Sequence, residues 1–120
     1  MKKKYCTIYL TRHGETDWNV KKLIQGQKDI PLNEKGRKQA EKLSGKLKKV
    51  KFDAIYSSDL KRATETAKII ADKRKLNIIK SMALRERYFG KYEGVSFKKN
   101  KVIFEIINNL KTNEKKDAKV

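Results

Sequence analysis

Tyr5-Cys6-Thr7-Ile8-Tyr9-Leu10-Thr11, followed at once by Arg12-His13-Gly14, is the stretch on which the reading of the fold turns. It is rich in β-branched and aromatic residues and holds neither Gly nor Pro. Near-continuous apolar character predicts a strand covered on both faces, as in a parallel sheet. Gly14 allows a tight turn where the chain leaves that strand. Ligands of open α/β sheets sit beyond the carboxyl ends of the strands, which is where His13 falls. His13 is also the only histidine in 120 residues, so chemistry that needs an imidazole must happen there.

Working outward, residues 16–32 have no clear period. Gln25-Gly26-Gln27 and Ile30-Pro31-Leu32 punctuate them, which predicts a loop with a short helical turn near Trp18. Asn33 is a good N-cap for a helix running to about Lys49, with Ala40, Leu43, Leu47 and Val50 on one face. Gly36 and Gly45 weaken that helix by about 1 kcal/mol each relative to Ala, and their smallness lets it lie close to the sheet. Phe52 to Ser57 reads as the second strand. Ser58 or Asp59 then caps a helix reaching about Lys73, with Leu60, Ala63, Ala67, Ile70 and Ala71 as its buried stripe. Leu76 to Ile79 is a third, short strand. The order β-α-β-α-β makes parallel pairing the default. Leu84 to Gly94 is a loop, and a further helix runs from Ser96 or Phe97 to about Leu110, with Ile103, Ile106, Ile107 and Leu110 on one face. Residues 112–120 form a polar, lysine-rich tail, expected to be disordered.

The composition bounds the function. A chain of 120 residues holds one domain with one core. No apolar stretch approaches membrane-spanning length. Met1-Lys2-Lys3-Lys4 resembles a signal n-region, but the apolar run after it is too short, so neither a secretory signal nor an anchor is expected. The single cysteine, Cys6, sits inside the apolar run and reads as a reduced thiol in a cytoplasmic protein. The formal net charge of +18 is almost all lysine, spread over every segment. It reads as lysine on solvated faces, with a polyanion-binding surface as the alternative. Basic and aromatic residues do not interleave as in a stacking platform, and no specific nucleic-acid partner is expected.

The chemistry follows from the side chains. An imidazole beside Arg12, at the carboxyl end of a strand, suits a phosphoryl group. Imidazole nitrogen is a good nucleophile near neutral pH, its ordinary pKa being about 6.5. Arg62 lies in the first turn of a helix, where a cation opposes the helix dipole. That placement makes sense if an anionic ligand sits at the helix N-terminus and Arg62 helps to hold it. A leaving alkoxide needs a proton, and Glu86 is the best candidate for the acid, ahead of Glu15 and Glu93. Metal binding has little support, since there is no second histidine, no cysteine pair and no cluster of acids at ligand spacing. No cofactor is expected either, as no nucleotide-binding glycine pattern occurs. The implied partner is a small phosphorylated substrate.

Arg12-His13-Gly14-Glu15-Thr16 with Trp18-Asn19 resembles the signature of the histidine phosphatase superfamily, the phosphoglycerate mutase-like proteins. The likeness continues through Gln25-Gly26, Pro31-Leu32-Asn33-Glu34-Lys35-Gly36-Arg37, Gln39-Ala40, Tyr56-Ser57-Ser58-Asp59-Leu60-Lys61-Arg62-Ala63, Thr66-Ala67, Leu84-Arg85-Glu86, Phe89-Gly90 and Glu93-Gly94. The resemblance implies a three-layer α-β-α fold with a mostly parallel sheet. It implies that His13 becomes a phosphohistidine, that Arg12 and Arg62 hold the phosphate, and that Glu86 protonates the leaving group and later activates water. It also implies that Asn19 contacts the phosphate or the substrate edge. Gln25-Gly26 is more similar to the phosphatase branch than to the mutases, which favours a phosphomonoesterase over phosphoglycerate mutase-type transfer.

The same resemblance carries an expectation about extent. Members of the superfamily have a second histidine on a later strand, followed by glycine, and here His13 stands alone. The sequence therefore reads as a domain incomplete on its C-terminal side, with residues 1–111 the partial domain and 112–120 the tail, and as a truncated product rather than a naturally short one. Such a fragment exposes a strand edge and uncovered helix faces. Loss of one phosphate-pocket donor costs about 10²–10³ in rate by analogy with other oxyanion sites, so low or no activity is expected of these 120 residues alone. A non-catalytic remnant that binds phosphorylated ligands or polyanions is the remaining alternative.

Overall fold

The computed structural model describes residues 4–98 together with Lys101, Glu105, Asn108 and Asn109. The elements are α1 (Asp17–Val20), α2 (Glu34–Lys46), β1 (Ile55–Ser57), α3 (Lys61–Ala71) and β2 (Ile78–Lys80), followed by two 3-10 turns at Met82–Leu84 and Gly90–Tyr92. β1 and β2 pair in parallel, Ile55 opposite Ile78, Tyr56 opposite Ile79 and Ser57 opposite Lys80. The helix between them, α3, packs on both strands and on α2. This is the α/β arrangement that the alternation of elements predicts.

Helix α2 begins where Asn33 places it, the Asn33 side chain accepting from the Gly36 N–H at 2.8 Å. Glu34 in the first turn and Lys46 in the last complement the helix dipole. The helix stops at Lys46 rather than near Lys49, the chain closing a tight turn with Val50 N–H on the Leu47 carbonyl at 2.9 Å. Ala40 is buried, while Leu43, Leu47 and Val50 are half-buried. Gly36 packs directly against the backbone of Glu15, and a Cβ on either Gly14 or Gly36 would run into the other segment's backbone. The close approach expected against the sheet occurs at Gly36 against the Glu15 backbone instead, and at Gly45 a Cβ would face open space.

Helix α3 buries Leu60, Ala67, Ile70 and Ala71 as its spacing predicts, with Ala63 half-buried. Its capping differs from expectation. Neither Ser58 nor Asp59 is the N-cap; Leu60 is, and it supplies no side-chain cap. The Asp29 carboxylate reaches across from the preceding loop and accepts from Lys61 N–H at 2.7 Å. Asp59 is engaged elsewhere, and Ser58 Oγ accepts from Leu60 N–H at 3.4 Å.

The largest departure lies in the segment that opened the sequence. Tyr5 to Thr11 is not a strand and pairs with no described strand. Apolar residues give a strand its faces, but a strand exists only with a hydrogen-bonded neighbour. Ile8 is 80% exposed and Leu10 94% exposed, and Cys6 is exposed rather than buried in an apolar run. Among the described residues the segment is anchored by the Tyr9 ring, edge-on to Phe52 with centroids 5.3 Å apart. The sheet is therefore two strands wide among the described residues, and β1 starts at Ile55 rather than Phe52. Tyr56 and Ile79 are exposed, and a second helical layer is not among the described residues. Ser96 and Phe97 do not start a helix; Ser96 forms an isolated antiparallel bridge with Leu23. Lys101, Glu105, Asn108 and Asn109 are helical. Ile103, Ile106, Ile107, Leu110, the domain boundary at 111 and the tail at 112–120 lie outside the described residues.

Candidate active site

The Arg12-His13-Gly14 turn is strapped to both long helices. Gly14 N–H donates to Thr66 Oγ1 at 3.1 Å, and that hydroxyl donates to the Arg62 carbonyl one turn back in α3 at 2.7 Å. On the other side, Glu15 N–H donates to Gln39 Oε1 of α2 at 2.9 Å, and the Glu15 carbonyl accepts from Asn33 N–H at 3.0 Å.

The half-buried His13 ring is oriented by its own turn. Nδ1 lies 2.6 Å from the Gly14 carbonyl oxygen. A carbonyl only accepts, so Nδ1 carries the proton and Nε2 keeps its lone pair. Burial lowers the His13 pKa from its ordinary 6.5, and the nearby charges of Arg62 and Arg12 act in the same direction. The Gly14 carbonyl and the Glu86 carboxylate oppose that shift without cancelling it. The ring is accordingly neutral and nucleophilic at physiological pH.

Arg62 is 2% exposed. Its Nη1 donates to the Lys28 carbonyl at 2.7 Å and its Nη2 to the Gly26 carbonyl at 2.5 Å. Burial lowers its pKa, while Glu86, Asp29 and Glu93 act in the opposite sense. A guanidinium carries five N–H donors, so two carbonyls leave donors for a further oxygen.

Glu86 is exposed, and its Oε1 accepts from Arg87 N–H at 3.1 Å. The residue before it fixes its loop. Arg85 grips Asp59 bidentately, Nε on Oδ1 at 2.6 Å and Nη2 on Oδ2 at 2.5 Å. The pair holds the Asp59 carboxyl below the usual carboxylate range. Asp59 lies just before α3, so the Glu86 loop is tied to the helix end that carries Arg62. Gln27 adds a second tie, its Nε2 donating to the Glu86 carbonyl at 3.3 Å.

Arg12, His13 and Asn19 line one cavity of about 520 Å³, together with Glu15, Lys22, Leu23, Gln39 and Phe97. Arg62 and Glu86 are not on its wall; they reach His13 through their charges. Gln25 and Gly26 lie behind it. The Gln25 side chain is buried and its Oε1 accepts from the Thr16 hydroxyl at 2.6 Å, while Gly26 offers its carbonyl to Arg62. Asn19 and Thr16 form a capping box at α1, with Asn19 Oδ1 accepting from Thr16 N–H at 2.9 Å. That leaves the Asn19 amide NH2 as the group it can present. Glu15 is bound to Asn33 Nδ2 at 3.1 Å and Lys35 at 3.7 Å. Glu93 accepts from Gln27 N–H at 2.6 Å. A larger groove of about 670 Å³ lies toward the C-terminal ends of α2 and α3, with Lys48, Lys51, Phe52, Lys73 and Arg74 on its wall. It contains no imidazole, and the smaller cavity is the one that His13 lines. Among the described residues no three His, Cys, Asp or Glu side chains group to hold a metal ion, and no helix is long and apolar enough to cross a membrane.

Sequence reasoning missed several participants. Asp29 as the cap of α3, Lys22 and Phe97 on the cavity wall and the Arg85–Asp59 pair each depend on contacts between distant segments. The one advance signal was the company Asp59 and Arg85 keep within quoted motifs.

The chain is 47% identical over 95 residues to the phosphoglycerate mutase-like protein 4 of Arabidopsis thaliana, covering 78% of this chain and 41% of that protein. It is 43% identical over 88 residues to the uncharacterized phosphatase PhoE of Bacillus subtilis, covering 73% of this chain and 46% of that one. The phosphoserine phosphatase of Entamoeba histolytica, solved in complex with 3-phosphoglyceric acid, superposes with a TM-score of 0.67 at 40% identity, covering 72% of this chain and 43% of that chain. The chain thus spans less than half the length of these relatives. The profile of the histidine phosphatase superfamily (branch 1) matches residues 8–117. With the profile spanning the turn, both long helices and the Glu86 loop, the chain belongs to the histidine phosphatase superfamily.

Proposed function

We propose that the chain carries the phosphate-accepting centre of a phosphomonoester hydrolase working through a phosphohistidine at His13. The observation that carries this reading is the Nδ1 contact with the Gly14 carbonyl at 2.6 Å, which frees Nε2 to attack. A bond forms between Nε2 and phosphorus, and the ester P–O bond breaks. Glu86 is the acid that gives a proton to the departing alkoxide. The phosphorylated ring keeps its Nδ1 proton on the Gly14 carbonyl. Water then attacks phosphorus, the N–P bond breaks, Glu86 takes the proton of the water, and His13 returns to its neutral form. Arg12 on the cavity wall and the charge of Arg62 just beyond it stabilise the transferring oxygens, and Asn19 contributes its amide. Gln25 and Gly26 support the site from behind.

The names of the relatives, a phosphatase and a mutase-like protein among them, support phosphoryl transfer through histidine. Hydrolysis is preferred over mutase-type transfer because of the Gln25-Gly26 pair. No specific nucleic-acid partner belongs to this reading, and the free thiol of Cys6 suits a cytoplasmic setting.

Incubation with 4-nitrophenyl phosphate is expected to leave an acid-labile, base-stable phosphoryl label on the wild-type chain and none on His13→Ala. A label that survives His13→Ala sinks the proposal. Phosphate binding without any label favours the non-catalytic remnant instead. Loss of the label to 3-phosphoglycerate, but not to water, favours the mutase.

A further inference from the structure

Glu93 is a half-buried carboxylate that the proposed reaction leaves unused. Its Oε2 accepts from Gln27 N–H at 2.6 Å. Gln27 sits in a turn closed by Lys28 N–H on the Gln25 carbonyl at 2.9 Å. Its two neighbours, Gly26 and Lys28, supply the carbonyls that hold the Arg62 guanidinium, at 2.5 Å and 2.7 Å. The N–H that Glu93 takes therefore lies between the two acceptors of the buried arginine. A hydrogen bond to an ionised acceptor is stronger than a neutral one, so this is the firmest grip available on the turn.

The turn is shaped to admit the carboxylate. Gly26 is buried, with a left-handed backbone at φ +53°, and a Cβ there would run into the Glu93 carboxylate. Glycine thus serves twice, by taking the conformation and by leaving the space. The backbone next to Glu93 is itself tied down. Gly94 N–H donates to the Ile24 carbonyl at 2.8 Å, and Ile24 N–H donates to the Val95 carbonyl at 3.0 Å. No ion pair joins Glu93 to Arg62 among the described residues, and its charge favours the guanidinium only after those of Glu86 and Asp29. Its hold on Arg62 runs through the turn.

We propose that Glu93 is a positioning residue: by gripping the 25–28 turn at Gln27 N–H, it sets Arg62 in the place from which its charge acts on His13. The use of that setting in phosphoryl transfer rests on the phosphohistidine reading.

Glu93→Gln and Glu93→Ala both remove the negative charge, but only Glu93→Ala removes the oxygen that accepts from Gln27. The single imidazole resonance, that of His13, is titrated by NMR in each variant of the 120-residue chain. Arg62 is the first of the charges that bear on the ring, ahead of Arg12 and Glu86, and Glu15 and Lys22 share the cavity wall. Both variants keep all five. Loss of a negative charge by itself lowers the His13 midpoint, whereas displacement of Arg62 raises it. Glu93→Ala is therefore expected to titrate above wild type, and Glu93→Gln at or below it. Gly26→Ala keeps the charge of Glu93 but pushes the carboxylate aside, and is expected to titrate above wild type as Glu93→Ala does. It decides the matter if Glu93→Ala does not fold. A midpoint that stays or falls in the deciding variant, or that Glu93→Gln matches, overturns the proposal. Labelling by 4-nitrophenyl phosphate is expected to slow about 10-fold or more in Glu93→Ala and to stay within about twofold of wild type in Glu93→Gln. An equal loss in the two variants overturns the proposal as well. If the wild type takes no label, the phosphohistidine reading fails by itself, and the His13 midpoints still decide whether Glu93 positions Arg62.

Discussion

His13 is kept neutral by burial and by the two arginines, and this has a cost that pH can reveal. Its folded pKa lies below the ordinary 6.5, so the unfolded chain takes up the proton more readily. Above 6.5 both states are neutral and His13 contributes nothing. As pH falls through 6.5 the unfolded state gains protons first, and the fold loses stability. Thermal melts between pH 7 and pH 5 are therefore expected to fall more steeply for wild type than for His13→Gln. Equal slopes would remove the buried, neutral imidazole from the account. At this scale the sequence was informative where chemistry resides in the residue type. One histidine beside an arginine, and an arginine in a helix first turn, were legible as residue types, and the structure brings their charges to bear on one ring. Lys22 and Asp29 were not, because neither a positive φ at lysine nor a cap delivered from 32 residues away leaves a mark in one dimension.

Among the elements, the close approach of Gly14 and Gly36 fixes α2 against the Arg12-His13-Gly14 turn. The two glycines of α2 are expected to respond in opposite directions to alanine. Gly36→Ala forces a Cβ into the Glu15 backbone and is expected to destabilise by about 1–3 kcal/mol, with loss of the His13 geometry. Gly45→Ala meets nothing and gains helix propensity, stabilising by about 1 kcal/mol. Urea unfolding of the two variants decides this, and a neutral Gly36→Ala would mean that the helix can slide away. Helices α2 and α3 were legible because their buried faces repeat within the segment itself. Tyr5 to Thr11 shows the limit, since its pattern named the faces of a strand but nothing local names a partner.

Over the whole molecule two opposed forces meet at the surface. A formal net charge of +18 keeps copies apart. Tyr5, Ile8, Leu10 and Tyr56 present apolar surface that draws them together. Salt screens the first and spares the second, the screening length falling to about 10 Å at 0.1 M. Sedimentation velocity is expected to show association that grows as salt is raised from low to near-molar concentration. The double variant Ile8→Thr, Leu10→Thr is expected to suppress it. Association that falls with salt, or that ignores the variant, would trace it to charge instead. The lysine excess was legible as a solvated coat, whereas the apolar patch contradicted the buried strand its residues suggest.

Arg62, locked onto the carbonyls of Gly26 and Lys28, also decides when its ordering is settled. A long side chain that first stiffens around an arriving anion gives up rotamer freedom at that moment. Here the freedom is surrendered while the chain folds, so under the proposed function an incoming phosphate would meet a cation already set in place. The same lock makes Arg62 a clasp for the 26–28 loop, and truncating it would loosen the loop and discharge the site together. A loss of turnover in such a variant therefore has two sources, and only a measure of fold stability taken alongside can apportion them.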